Sequence, residues 1–258
     1  MEFVAHLAPA GTLGAAAVVS VLATGFVAGF FNVTAGGGSL LTLPLLVLLG
    51  LPGPVANGTN RLALVVQNLV AVPTFRRGGV RGMRRHARLV LAAVPGALLG
   101  AWAGATISDP LFRRVLGLLM IAMTAVVLAR PGGGDGRDPA TRPRLATWLS
   151  FAGIGLYAGF IQAGVGFLIV FALAGIERMP LVRAHAFKVA TVLALQVLAL
   201  PVFAWHGKVS WGLGALLAVG LAAGGFVGAR LALRSGERVL RYLLAAAALA
   251  LSLRLLLS

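Results

Sequence analysis

Residues 25–38 read GFVAGFFNVTAGGG and residues 155–166 read GLYAGFIQAGVG. Gly25 matches Gly155, Ala28 matches Ala158, Gly29 matches Gly159 and Phe30 matches Phe160; Asn32 then falls opposite Gln162 and Gly36 opposite Gly166. With small gaps the register continues: Pro52 with Pro180, Asn57 with His185, Asn60 with Lys188, Asn68 with Gln196, Phe75 with Phe203. Further on, Gly100 and Gly104 match Gly224 and Gly228. A duplicated apolar chain, broken in each half by a glycine-rich polar stretch, is the pattern of a secondary transporter.

Composition places this pattern in a membrane. The chain has 258 residues, of which 59% are hydrophobic and 11% charged, with a mean hydropathy of +0.97. That leaves too little polar surface to cover a soluble globule. The net charge of +16 does not point to nucleic acid, because the Lys and Arg sit in short loops between apolar runs, as they do in cytoplasmic membrane loops. The absence of cysteine excludes disulfides, thiolate metal sites and thiol catalysis. No metal or cofactor is expected. The opening MEFVAHLAPA lacks the basic residues of a secretory signal, so the first apolar run reads as a retained span.

Ten apolar runs follow, near 13–33, 38–50, 59–76, 88–107 and 111–130, then 145–162, 167–177, 185–206, 211–232 and 238–257. A bilayer core takes roughly 20 residues per helix, so the second run of each half is a short span or one arm of a re-entrant hairpin. PGGGDGRDPATRP, at 131–143, is a flexible linker. The domains expected are a first transmembrane repeat at 1–130, a cytoplasmic linker at 131–144 and a second repeat at 145–258. If the chain alternates sides, 17 of the 22 basic residues collect on one side, which is then cytoplasmic. Both termini are thus expected outside the cytoplasm. Five runs per half make an odd number of reversals, so the repeats are inverted. The fold class expected is an all-α polytopic membrane protein, an inverted repeat of two five-segment halves, each with a broken or re-entrant glycine-interrupted helix pair. Glycines at four-residue spacing, such as Gly96/Gly100/Gly104 and Gly220/Gly224/Gly228, fit close helix packing.

The polar residues concentrate at the breaks. Asn32, Thr34, Gly36, Gly37, Gly38 and Ser39 would expose N–H groups and hydroxyls at the start of a short helix, which draws an anion. Gln162 and Gly166 supply the equivalent tip, and inverted repeats bring both tips toward the midplane. A tight turn capped by its own Ser and Asn is the structural alternative. Asn60, Arg61 and Lys188 form a second tier. They lie within about a turn of a helix start, where Arg61 also reads as a snorkelling cation and Lys188 as a cytoplasmic anchor. Gln67, Asn68 and Gln196 either bridge helices or line a path. Tyr157 and the tryptophans read as aromatic belt.

The stretches GFVAGFFNVTAGGGSLLTLP, NGTNRLALVVQNLVAVPTFRRGG and PVFAWHGKVSWGLG resemble the sulfite exporter TauE/SafE family of bacterial membrane proteins, and the likeness covers almost the whole chain. The resemblance implies a multi-pass inner-membrane permease that exports sulfite, sulfonates such as sulfoacetate, or related organic anions. His185-Ala-Phe-Lys188 stands where the first half has Asn-Gly-Thr-Asn, so the halves are not functionally equivalent.

The reading is therefore a secondary transporter of small anions. Its rivals are an anion channel or passive membrane subunit and, further off, an intramembrane enzyme, for which Ser39 and His185 are a dyad that nothing orients. The expected partners are the anionic substrate and the lipid bilayer, with no nucleic acid; homodimerisation stays open. Glu2, Asp109, Asp135, Asp138, Glu177 and Glu237 all fall in loops, termini or run ends, so no carboxylate is expected at membrane depth to carry a coupling ion. Potential-driven efflux without a co-ion follows, against proton coupling through His185 or sodium held on the carbonyls of the breaks.

Overall fold

The computed structural model of the protein describes residues 14–34, 37–80, 87–128 and 145–233. Gly36, Arg84, Asp135, the linker at 131–144, the tenth apolar run and both chain ends lie outside the described residues. Among the described residues every regular element is helical.

Pro52 and Pro180, matched in the two halves, each stand immediately before a helix of 25 residues, α3 (Gly53–Arg77) and α8 (Leu181–Trp205). Proline fixes φ near the value a helix entry needs and has no N–H to lose there. At 1.5 Å per residue each helix is about 37 Å long, more than a bilayer core. Both begin earlier than the apolar runs indicated, at Gly53 rather than 59 and Leu181 rather than 185.

Ahead of each long helix stands a broken pair. In the first half α1 (Ala15–Thr34) ends at the break and α2 (Ser39–Leu48) follows. In the second, α6 (Leu145–Phe160) is followed by α7 (Val165–Val170), which runs on as a π-helical turn through Phe171–Ile176. With 10 residues in Ser39–Leu48 and 12 in Val165–Ile176, each second arm is under about 20 Å long and cannot cross a bilayer core of about 30 Å. Neither helix is long enough to span on its own. The remaining helices are α4 (Ala87–Thr106), α5 (Asp109–Leu128) and α9 (Trp211–Ala232). Three of the described helices, Ala87–Thr106, Leu181–Trp205 and Trp211–Ala232, are long and apolar enough to cross a membrane. Large apolar side chains such as Leu91, Leu99, Leu149 and Val219 face outward, where only lipid would accept them.

The glycines explain how the helices pack. A Cβ on Gly100 would lie 2.1 Å from the Leu156 carbonyl oxygen, and one on Gly104 2.3 Å from that of Phe160. In the other seam, a Cβ on Gly224 would lie 1.9 Å from the Phe26 oxygen, and one on Gly228 2.9 Å from that of Phe30. α4 is thus pressed backbone to backbone on α6, and α9 on α1, so each seam joins one half of the chain to the other. Small residues permit this approach, which in lipid supplies van der Waals energy where no hydrophobic drive exists.

α3 and α8 cross the centre and run antiparallel. Gly58 meets Phe203 and the Lys208 carbonyl near one end of the pair. Val72 and Phe75 share a buried cluster with Ala186 and Val189 near the other.

Candidate functional site

α3 carries Asn57, Asn60, Arg61, Gln67 and Asn68 at helical spacing, and all five are buried. α8 carries His185, Lys188, Thr191 and Gln196, buried likewise. Such a stripe inside a membrane protein marks a place where polar groups are wanted.

Arg61 is fully buried. Its Nη1 donates to the Ala158 carbonyl at 3.0 Å and to Gln196 Oε1 at 2.8 Å, and its Nη2 donates to the Gly159 carbonyl. Cζ lies 4.4 Å from the centre of the Phe203 ring. Lys188, from the other half, donates through Nζ to the carbonyls of Asn32 at 2.6 Å and Val33 at 3.1 Å. The arrangement is crosswise: α3 caps the C-terminal end of α6, and α8 caps that of α1. Helix ends present unsatisfied carbonyls and the negative pole of the dipole, so a cation there is stabilised. The expectations of a snorkelling Arg61 and an anchoring Lys188 are therefore corrected. Because α3 and α8 start earlier than the hydropathy indicated, both cations sit about two turns inside and are spent on backbone, not on water.

Ser39 joins the two breaks. Its Oγ accepts the Gly164 N–H at 3.1 Å and faces the Gln162 carbonyl at 3.4 Å. The tips at Ser39 and Gln162, far apart in sequence, therefore meet. Gln162 has φ of 60° and Gly164 φ of 74°; glycine takes that region freely, while glutamine there is strained. The Gln162 side chain is fully buried, and neither amide atom has a hydrogen-bond partner. The same holds for Asn60. Gly37, Gly38 and Gly166 are buried at the same breaks, and a Cβ on Gly38 would lie 1.9 Å from the Ala28 carbonyl oxygen. The chain turns back on α1 there, which only glycine permits.

The family model described as "Sulfite exporter TauE/SafE" matches residues 21–255. The chain belongs to that family. It is 28% identical to a "Probable membrane transporter protein ORF9" of Sinorhizobium sp, covering 90% of this chain and 89% of that protein. It is 27% identical to the "Probable membrane transporter protein YfcA" of Escherichia coli K12, over 89% of this chain and 86% of the other. A "Probable membrane transporter protein" of Xylella fastidiosa Temecula1 is 30% identical over 84% and 85%. No solved structure gives a significant match. This TauE/SafE member is therefore a multi-pass membrane transporter, not an enzyme, as the residues led one to expect.

Thr34 donates its hydroxyl to the Phe30 carbonyl at 2.7 Å, and Asn32 gives its amide to Gln67 Oε1 at 2.9 Å. The Thr34 hydroxyl proton is thus spent locally, whereas the Asn32 amide keeps its second N–H. Tyr157, read as aromatic belt, turns inward and donates to the Ala163 carbonyl inside the second break. Asn57, Gln67 and Gln196 join the same polar network although the break motifs did not single them out. Asn57 donates to the Phe160 carbonyl at 2.6 Å. The i, i+3, i+4, i+10, i+11 spacing of Asn57, Asn60, Arg61, Gln67 and Asn68 was the signal that could have found the α3 residues. Of the acidic residues, Asp109 and Glu177 are described, and both lie at helix ends. Asp109 pairs with Arg113 at 2.9 Å, and the buried Glu177 accepts from Thr147.

Proposed function

We propose that this protein is a potential-driven exporter of small sulfur-containing or organic anions, such as sulfite or sulfonates, across the bacterial inner membrane. The observation that carries the reading is Arg61. It is a fully buried cation whose hydrogen-bond partners are carbonyls and a carboxamide, never a carboxylate. Carbonyl and amide dipoles hold the guanidinium but carry no formal negative charge, so Arg61 keeps a positive potential at that depth, which an anion would relieve. Asn60 and Gln162, buried with idle carboxamides, are the direct ligands. Ser39, Gly37, Gly38 and Gly166 shape the two tips around them, and Asn32, Thr34 and Lys188 back the site from α1 and α8.

The architecture we propose around this site is the inverted repeat, with halves at 1–130 and 145–258 joined by the linker at 131–144. Matched glycines support it by making matched contacts. Gly104 faces the Phe160 carbonyl and Gly228 that of Phe30, and these are equivalent residues in the two halves. The antiparallel course of α3 against its counterpart α8 supports it too. Sulfite and export come from the family's description. Energetics agree, since moving one negative charge outward releases about 2.3 kcal/mol per 100 mV.

The test is counterflow into proteoliposomes preloaded with sulfite or a two-carbon sulfonate. Under an imposed potential and equal pH, labelled anion should accumulate transiently, with a rate that follows the potential. Flux that dissipates without exchange would make the protein a channel. No anion flux at all would remove the reading.

A further inference from the structure

The end of α1 is built from acceptors. Gly29 O can only accept, so the Gln67 amide that reaches it at 3.1 Å is Nε2. Gln67 Oε1 must then face Asn32 Nδ2, and the oxygen left to Asn32 is Oδ1. Thr34 has given its one proton to Phe30 and retains lone pairs. With the Asn32 and Val33 carbonyls, acceptor oxygens predominate among the described residues of this turn. Helix C-termini and unwound carbonyls of this kind hold sodium in carriers built on broken helices. Here the position is filled by Lys188 Nζ, at 2.6 and 3.1 Å from two successive carbonyls. The equivalent end of α6 is filled by the Arg61 guanidinium on the Ala158, Gly159 and Phe160 carbonyls.

We propose that these are two cation sites with permanently tethered occupants, the Lys188 ammonium and the Arg61 guanidinium standing where a co-transported cation would bind. A carrier so equipped needs no coupling cation. That consequence rests on the breaks being a transport site; the sites themselves do not.

Lys188→Ala vacates one of them. Thermal midpoints are measured without substrate, at fixed pH and chloride, in sodium, ammonium or N-methylglucamine salts. The wild type should give one midpoint in all three. Lys188→Ala should melt lower in N-methylglucamine and recover by roughly 5–10 °C as sodium or ammonium reaches about 100 times its dissociation constant. Lys188→Met, whose chain fills the space, should not recover. Arg61→Ala with added guanidinium repeats the measurement at the second site. A wild type that binds labelled sodium in equilibrium dialysis overturns the proposal. So does a Lys188→Ala protein without cation-specific recovery, or one that cannot be obtained folded even when expressed and extracted in ammonium. Recovery by cations together with an absence of anion counterflow would keep the two sites and remove the anion reading instead.

Discussion

Two neighbouring amides on α3, both buried, have opposite situations. Gln67 is engaged at both amide atoms, donating to the Gly29 carbonyl and accepting from Asn32. Asn60 is used not at all. Removing a satisfied amide leaves its partners stranded at about 1–3 kcal/mol, whereas replacing an idle one by an apolar group of similar shape is nearly neutral or stabilising. Gln67→Leu should therefore lower the melting midpoint. Asn60→Leu should leave it unchanged or raise it, while abolishing the stabilisation that a bound anion confers. Thermal unfolding with and without sulfite reads both. An Asn60→Leu protein that still responds to anion takes Asn60 out of the site. At this scale the sequence was only half legible. The breaks, and Asn60 and Gln162 as polar positions, could be picked out, because polar residues in an apolar chain stand out. Which hydrogen each donor spends could not, because it depends on carbonyls that come near only when the helices have packed.

The helices were legible where hydropathy speaks and illegible where it is silent. α4 and α9 fall within a residue or so of the apolar runs. α3 and α8 lost their first turns, since residues 53–58 and 181–184, with Gly53, Pro54, Asn57, Gly58 and Arg183 among them, fall outside the apolar runs although proline had already set the helix start. Gly58 adds to the disguise, yet it is there for space, as its Cβ would lie 1.9 Å from the Lys208 carbonyl oxygen. The seams give a prediction of opposite signs. Gly100→Ala drives a methyl into the Leu156 backbone, at 2.1 Å, and should destabilise by about 1–3 kcal/mol or more. Gly153→Ala on α6 meets nothing within 4 Å and should stabilise by up to about 1 kcal/mol. Denaturation of the two purified variants in one detergent compares them directly, and equal behaviour would mean the seams are looser than they look.

For the whole molecule, the distribution of basic residues carries the expectation of orientation. Lys188 belongs to the 17 basic residues of the cytoplasmic side and Arg61 to the remaining five, so burying one from each side leaves the excess of basic residues as it was. We therefore expect a cysteine at position 84 of this cysteine-free chain to react with impermeant reagents from the cytoplasmic side alone, with both termini outside. Labelling of position 84 from outside the cell would reverse the orientation. The crosswise seams also bear on how such a protein comes into being. α1 is the first described helix to leave the ribosome, and its packing partner α9 is the last; α4 likewise waits for α6. Until the second half is synthesised, the glycine face of α1 has only lipid to lie against and Arg61 has no carbonyl ladder to hold. The nascent first half is thus an unfinished object in the bilayer, and the final helices close the structure around a chain already inserted.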